Sequence, residues 1–359
     1  MKNPEVLFIF LYFVLLSQLG FGQNAPKYSN EFLSIGVGAR AFGMANSTVA
    51  STSDLTSTYW NPAALTKLES SMNLGLMHSE YFAGLSKYDY GGIAFKLEND
   101  GAFAITFIRF AVDNIPNTLE LIDANGNINF DKITSFSVAD YAVNFSYAKK
   151  LQIDGLSVGG SAKIIRRVGG DFASAWGFGI DISGLYELDN FTFGFMARDI
   201  TTTFNSWKFN TDELKDVFEL TGNVVPENST EITLPKFILG VAYSYNITDK
   251  IGILGELNLD ATTDGKRNVL IKSNIISIDP HIGFESNYNR IVFLRFGVGN
   301  IQKEYDNLGN ESTTLMPNMG LGFKYKRFAI DYALTDLGNV SAAGYSHIFT
   351  LTLGIEKKN

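Results

Sequence analysis

Residues 35–65 read IGVGARAFGMANSTVASTSDLTSTYWNPAAL, a tract of small residues unlike the repetitive pattern that follows it. Gly36, Gly38 and Gly43 are interspersed with Ala, Ser and Thr, and the tract closes on Trp60-Asn61-Pro62-Ala63. Small side chains let backbone pack closely against other backbone. Asn-Pro is a turn signal that also ends any helix before it. These features predict a segment that folds inside a structure built by the rest of the chain.

From residue 70 onward the chain breaks into segments of about ten residues with period-2 alternation, the pattern of transmembrane β-strands. Phe237, Leu239, Val241, Tyr243 and Tyr245 alternate with Lys236, Ile238, Gly240, Ala242 and Ser244. Phe191, Phe193 and Phe195 alternate with Thr192, Gly194 and Met196. Similar alternations run through 141–148 and 349–356. The minor faces are small and polar: Lys163 and Arg167 share one with Ser157, Gly159 and Ser161, and Arg295 shares another with Gly297 and Gly299. The apolar faces of these segments carry no charge, as a lipid contact demands, since a charge at the bilayer midplane costs about 2–4 kcal/mol. A soluble β-sandwich also alternates, but its apolar faces meet each other.

Fourteen strands are expected, near 71–79, 88–97, 102–111, 138–149, 155–167, 174–187, 190–199, 234–246, 250–260, 277–288, 290–301, 315–325, 327–335 and 347–356. Every even connection is short, and the odd ones include every long one: 112–137, 200–233, 261–276, 302–314 and 336–346. Bacterial barrels pair short periplasmic turns with longer outer loops. The parity and the even count therefore place both termini in the periplasm. The expected fold is all-β, one transmembrane antiparallel β-barrel of about fourteen strands. Eight strands enclose a lumen that side chains fill, whereas sixteen or more leave an aqueous channel. Fourteen falls between, and the tract ahead of the strands is long enough to occupy the space, at about 3.3 Å per extended residue. Arg40 and Asp54 can anchor it to lumenal charges; for Arg40 a solvated position is an equal reading.

Composition agrees. Gly (34), Phe (29) and Tyr (16) are abundant and Pro (8) is scarce, which suits many strands. The net charge of −8 lacks the basic footprint of a nucleic-acid binder. With no cysteine, disulfides and thiolate chemistry are excluded. Lys2, the apolar run 6–16 and small residues Gly20 and Gly22 predict a secretory leader at 1–22, the alternative being an uncleaved anchor. The run is shorter than the roughly 20 residues of a spanning helix. The expected organisation is a leader at 1–22, an N-terminal hatch or plug at 23–69 and the barrel at 70–359.

GARAFGM (38–44), the Ser53-Asp54 pair and YWNPAAL (59–65) resemble the N-terminal signature of the PorV/PorQ family of Bacteroidetes outer-membrane proteins, itself similar to FadL-like barrels. Ile330-Asp331-Tyr332-Ala333-Leu334 followed by Tyr345-Ser346-His347 adds a second match. Family members usually read GMGGA where this chain has Gly43-Met44-Ala45-Asn46-Ser47, and often NPAGL where it has 61–65. The resemblance implies that the small-residue tract is an N-terminal hatch inside the lumen, with Gly38, Arg40, Gly43, Met44, Asp54, Trp60, Asn61 and Pro62 as its motif.

Chemical sites are sparse. His78, His281 and His347 are the available imidazole bases, no serine-nucleophile elbow is present, and Ser346 and His347 point to opposite faces of one strand. A non-enzymatic protein is expected. Asp123-Ala124-Asn125-Gly126-Asn127-Ile128-Asn129 spaces oxygens like a calcium loop, but Ile128 stands where glycine is needed and Thr134 where the last carboxylate is needed, so a turn is the better reading. No zinc, nucleotide or dinucleotide motif appears, and no cofactor is expected. In 200–233, Thr211 can cap a short amphipathic helix whose Leu214, Val217 and Phe218 share a face, a candidate partner-binding loop or lid.

Two functions follow. The family resemblance implies a component associated with the type IX secretion system, binding secreted proteins with C-terminal sorting domains, or translocon partners, through its outer loops. The alternative is a FadL-like channel for hydrophobic small molecules. The channel requires an apolar pocket between hatch and wall and a lateral opening at a strand kink, where Gly297 and Gly299, or Gly91 and Gly92, can mark bulges.

Overall fold

A strand that alternates apolar and small-polar residues can turn one face to lipid and the other to an enclosed space. The computed structural model closes such strands into a ring. It describes residues 29–356 except 83, 123–125, 212–214, 216, 217, 219–223, 225, 226, 306–310 and 338–344. The expected leader and the first residues of the hatch lie outside the described residues, as do Leu214, Val217 and Asp123-Ala124-Asn125.

The strands are β1 (Met72–Tyr81), β2 (Ser86–Lys96), β3 (Gly101–Asn117), β4 (Thr134–Lys150), β5 (Leu156–Gly169), β6 (Ala173–Leu188), β7 (Phe191–Arg198), β8 (Thr203–Phe209), β9 (Ser229–Thr233), β10 (Lys236–Asn246), β11 (Ile251–Thr262), β12 (Ser277–Tyr288), β13 (Val292–Tyr305), β14 (Glu311–Tyr325), β15 (Phe328–Thr335) and β16 (Ser346–Ile355). Fourteen of them, β1–β7 and β10–β16, form a closed antiparallel barrel. The ring shuts where β1 meets β16, from Met72↔Ile355 to Glu80↔His347. All fourteen expected strands are present, most with ends within two residues of the alternation's limits; β3 runs on to Asn117 past a bulge at Val112/Ile115.

The connection after β7 is more than a loop. β8 and β9 form a hairpin that pairs with the upper half of β6, at 173–178, while β7 holds the lower half, at 182–188. Asn205 and Thr203 are buried and Phe204 is exposed, a short alternation easily lost beside the helix-like 211–218. At one end of the barrel the turns are tight, with Asp100, Asp189, Asn289 and Lys326 in left-handed backbone, a conformation Asp and Asn tolerate best. The long connections lie at the other end.

Residues 29–69 lie within the ring. They fold as a 3-10 turn Glu31–Leu33, helix α1 (Ala39–Gly43), helix α2 (Ser57–Trp60) and a 3-10 helix Pro62–Lys67. Val37, Met44, Val49, Ala50, Ala63, Ala64 and Leu65 are fully buried. The glycines of the inner wall explain how backbone fits against backbone. A Cβ on Gly159 would lie 2.4 Å from Ala63 N, on Gly194 2.5 Å from Val49 O, and on Gly297 2.2 Å from Met44 C. Outside, Phe191, Phe193, Phe195, Leu239, Val241 and Tyr243 are all exposed to the surroundings of the barrel. No helix among the described residues is long and apolar enough to cross a membrane.

The outer wall departs from the charge-free pattern at one level: Arg166 of β5, over the exposed Trp176 ring, stands in the same row as a cluster of ionisable groups. On β1–β3, the outward positions Glu80, Lys87, Asp89 and Arg109 are ionisable.

Candidate functional site

The plugged lumen is held by polar contacts that begin at Gly38. Its φ of +89° and the 2.8 Å between its would-be Cβ and Thr56 Cγ2 leave room for glycine alone. From there α1 starts with its first N–H groups satisfied by the wall: Gly38 N–H donates to Met77 Sδ (3.0 Å) and Ala39 N–H to Thr350 Oγ1 (2.8 Å). Gly43, at the end of α1, meets the backbone of Gly320, and Met44 fits between Gly283 and Gly297.

Arg40 projects from α1 to Glu285 on β12, Nε to Oε2 at 2.9 Å, and its Nη2 donates to Ser51 Oγ at 3.1 Å. The same Glu285 oxygen takes Arg295 Nε at 2.6 Å, and Arg295 Nη1 reaches Asp331 Oδ1 at 2.5 Å. The result is an alternating row, Arg40–Glu285–Arg295–Asp331, from hatch to β12, β13 and β15. Each charge of the row has an opposite neighbour, which offsets the cost of burial. Asp54 does not join it: its carboxylate accepts from Thr56 N–H (2.8 Å) and Oγ–H (2.5 Å) within the hatch.

The Trp-Asn-Pro corner is bonded on all sides. Trp60 Nε1–H donates to Val37 O (2.8 Å), and Tyr59 and Trp60 meet edge to face at 4.8 Å. Asn61 Nδ2 donates to Val49 O (2.9 Å) and Gly184 O (3.1 Å), and its Oδ1 accepts from Ala63 N–H. Pro62, lacking an N–H, opens the 3-10 helix, where no donor is needed.

Three further anchors were not legible in the sequence. Glu256 of β11 accepts the N–H groups of Ala50 (2.8 Å) and Ser51 (3.0 Å). Arg198, at the end of β7, donates to Tyr59 O (2.9 Å) and lies 4.2 Å over the Tyr59 ring. Lys163 joins Asp181 (2.8 Å) and Asp199 (2.6 Å) between β5, β6 and the end of β7. Their one sequence signal is a lone charge on a strand face otherwise small and polar.

Between hatch and wall remains a cavity of about 140 Å³, lined by Trp60, Arg198, Lys236, Asp260, Asp279 and His281 among others. Lys236 Nζ lies 2.6 Å from Asp260, and His281 Nε2 lies 3.6 Å from Asp260 and 3.7 Å from Asp279. The cavity is therefore charged, not apolar. The apolar hollows that line mostly outward residues, such as that of Tyr186, Phe193, Leu239 and Leu257, lie on the outer wall. Of the expected partner helix, Thr211, Lys215 and Phe218 have helical backbone and Phe218 is half-buried. Ser346 faces the lumen and His347 the outside, so they do not meet.

The family model of the type IX secretion system protein PorV matches residues 22–210, just over half of the chain. The chain belongs to the PorV family. Comparison with curated proteins finds no match. Among solved structures, the CymD monoaromatic hydrocarbon channel is similar to this PorV family member with a TM-score of 0.57 and 13% identity, over 90% of this chain and 99% of that one. The P. putida toluene transporter TodX is similar with a TM-score of 0.53 and 12% identity, over 90% and 99%. At such identities the likeness is one of fold: a FadL-like barrel. The fold is that of a FadL-like barrel and the family that of a type IX secretion system protein.

Proposed function

We propose that this PorV family member is a non-enzymatic outer-membrane protein that binds secreted cargo or translocon partners of type IX secretion through its outer loops. Both termini then face the periplasm, with the tight turns, and the long connections face outward. The observation that carries the reading is the lumen. The hatch is fully buried along much of its length, and a cavity between it and the wall is small and charged. A lumen so filled suits a rigid carrier of loops better than a conduit, and loops on a rigid scaffold commonly carry binding.

The channel reading draws on CymD and TodX, which are named for hydrocarbons and toluene. One local feature favours it. The β12–β13 ladder stops at Ile282↔Val298, just below Pro280, which has no N–H, and β13 shifts register between Gly299 and Gln302. The ladders through Gly91 and Gly92 run without a break. The charged cavity beside that opening weighs against an apolar cargo.

Affinity purification from detergent-solubilised outer membranes separates the two. Recovery of secreted proteins carrying C-terminal sorting domains, or of translocon subunits, supports the first reading. Recovery of a bound hydrophobic small molecule in the lumen, with no protein partner, overturns it.

A further inference from the structure

The outward residues of β16, β1, β2, β3 and β4 stand in rows fixed by register. One row reads Leu351, Leu76, Gly91, Phe107, Val143, so a single position in an otherwise apolar line has no side chain. Leu76 leans toward the gap, its Cδ2 2.8 Å from where a Cβ on Gly91 would lie, and beside it runs a groove of about 590 Å³ in the outer wall, lined by Gly91, Gly92, Phe107 and Leu351. Leu76 is 65% exposed beside it.

The next row, further from the tight turns, reads Phe349, His78, Asp89, Arg109, Tyr141. Phe349 and Tyr141 are the aromatic residues expected where a barrel meets the headgroup layer. Between them the wall substitutes an ionic cluster. His78 Nδ1 lies 2.7 Å from Asp89 Oδ1, and Arg109 Nη1 lies 3.4 Å from Asp89 Oδ2. Arg109 Nη2 and Lys87 Nζ both reach Asp113, at 3.7 and 3.5 Å, and Glu80 lies 3.8 Å from His78. These side chains stay partly exposed on the outside of the barrel.

We propose that this wall seats one amphiphile, with an acyl chain along the Gly91 groove and a zwitterionic head, amine and phosphate, on the ionic cluster. The groove is apolar and opens to the bilayer, which suits hydrocarbon. Its upper end supplies both signs: Asp89 and Glu80 can take ammonium N–H donors, and Arg109 and Lys87 can take phosphate oxygens. Glu80 and Lys87, with side chains 55% and 42% exposed, stay open to a further ligand group of opposite sign. The position, level with the aromatic residues, is where a lipid head resides when its chains lie against the band below. The inference is independent of what the outer loops bind.

The chain has no cysteine, so one label can be placed without background. The full-length protein carries bimane at Ile93→Cys, one row below Gly91, or at Val241→Cys on β10 as a control wall. Each is placed in bilayers containing a small share of phosphatidylethanolamine with brominated chains. Quenching at 93 should correspond to about tenfold enrichment over bulk lipid, with bulk behaviour at 241. Brominated phosphatidylglycerol, which lacks the amine, should show little enrichment. Gly91→Phe, which fills the groove, and Asp89→Asn, which is conservative and on the surface, should each return quenching at 93 to the bulk level. Heat-modifiable migration confirms that the variants are folded. Equal quenching at 93 and 241, or equal enrichment of the two lipids, overturns the proposal. So does a photo-crosslinker at Ile93 that captures a protein in cells instead of a lipid.

Discussion

Arg40 in the hatch and Glu285 in β12, 245 residues apart in sequence, lie 2.9 Å apart. Glu285 is also the partner of Arg295, so its removal strands two guanidinium groups at once. Glu285→Ala should destabilise the barrel by about 3 kcal/mol, the cost of leaving a buried charge uncompensated. Arg40→Ala should cost less, because Arg295 still neutralises Glu285. Thermal unfolding followed by heat-modifiable gel migration tests the order; equal losses from both variants would remove the row's claimed asymmetry.

Glycines on the two faces of the wall should respond differently to added bulk. Gly159→Val and Gly297→Val drive a side chain into hatch backbone, 2.2–2.4 Å away at the first atom, and should expel the hatch or block assembly. Gly255 faces outward, and a Cβ there lies 3.4 Å from the Phe284 ring. Gly255→Ala should stay within about 0.5 kcal/mol of the parent. Protease sensitivity of residues 29–69 in the folded barrel distinguishes the two outcomes.

The loop between β11 and β12 should loosen in acid. Arg267 Nη2 bridges Asp264 (2.5 Å) and Glu31 of the hatch (3.1 Å). Burial opposes ionisation of Asp264, but the Arg267 hydrogen bonds and charge outweigh it and hold the carboxyl below its usual range. A depressed carboxyl pKa contributes stability that is complete above the unfolded value, about 3.9. That contribution is lost as pH falls through the folded value. The mobility of a label at Leu270→Cys should be constant from pH 7 to 5 and rise below about 3.9. Asp264→Asn should show high mobility at every pH; an unchanged acid step in that variant would acquit Asp264.

If the loop after β7 contacts a partner, Leu214→Ala, Val217→Ala and Phe218→Ala together should cut partner recovery at least tenfold, about 1.4 kcal/mol. The midpoint of barrel unfolding should not move. Retained recovery would shift attention to another connection, with 263–276 and 118–133 next.

Much of the ring was readable because lipid enforces a binary choice at every second residue. Phe191, Phe193 and Phe195 leave one register for β7, and the short turn at Asp189 fixes its pairing with β6. Gly38 and Asn61-Pro62, which admit few backbones, stand in the buried tract 29–69. Partnerships across the ring were not readable. Arg295 is visible as a lone charge beside Gly297 and Gly299, but only the register of β12, β13 and β15 brings Glu285 and Asp331 to it. The β8–β9 hairpin escaped notice because its alternation is short and lies beside a helical signal. Asp89 and Arg109 on the outer face ran against the general rule for membrane walls, which holds for hydrocarbon depth and relaxes at its edge.

The contact between first and last strands has a consequence for biogenesis. The hatch precedes β1, and the ring is incomplete until β16 has arrived to meet it. Residues 29–69 must therefore be in place while the sheet is still open and be wrapped as it curls, since a closed wall offers no doorway for a folded stopper of that size. A chain lacking β16 should remain an open sheet with its stopper unretained, since β16 alone bridges β15 to β1.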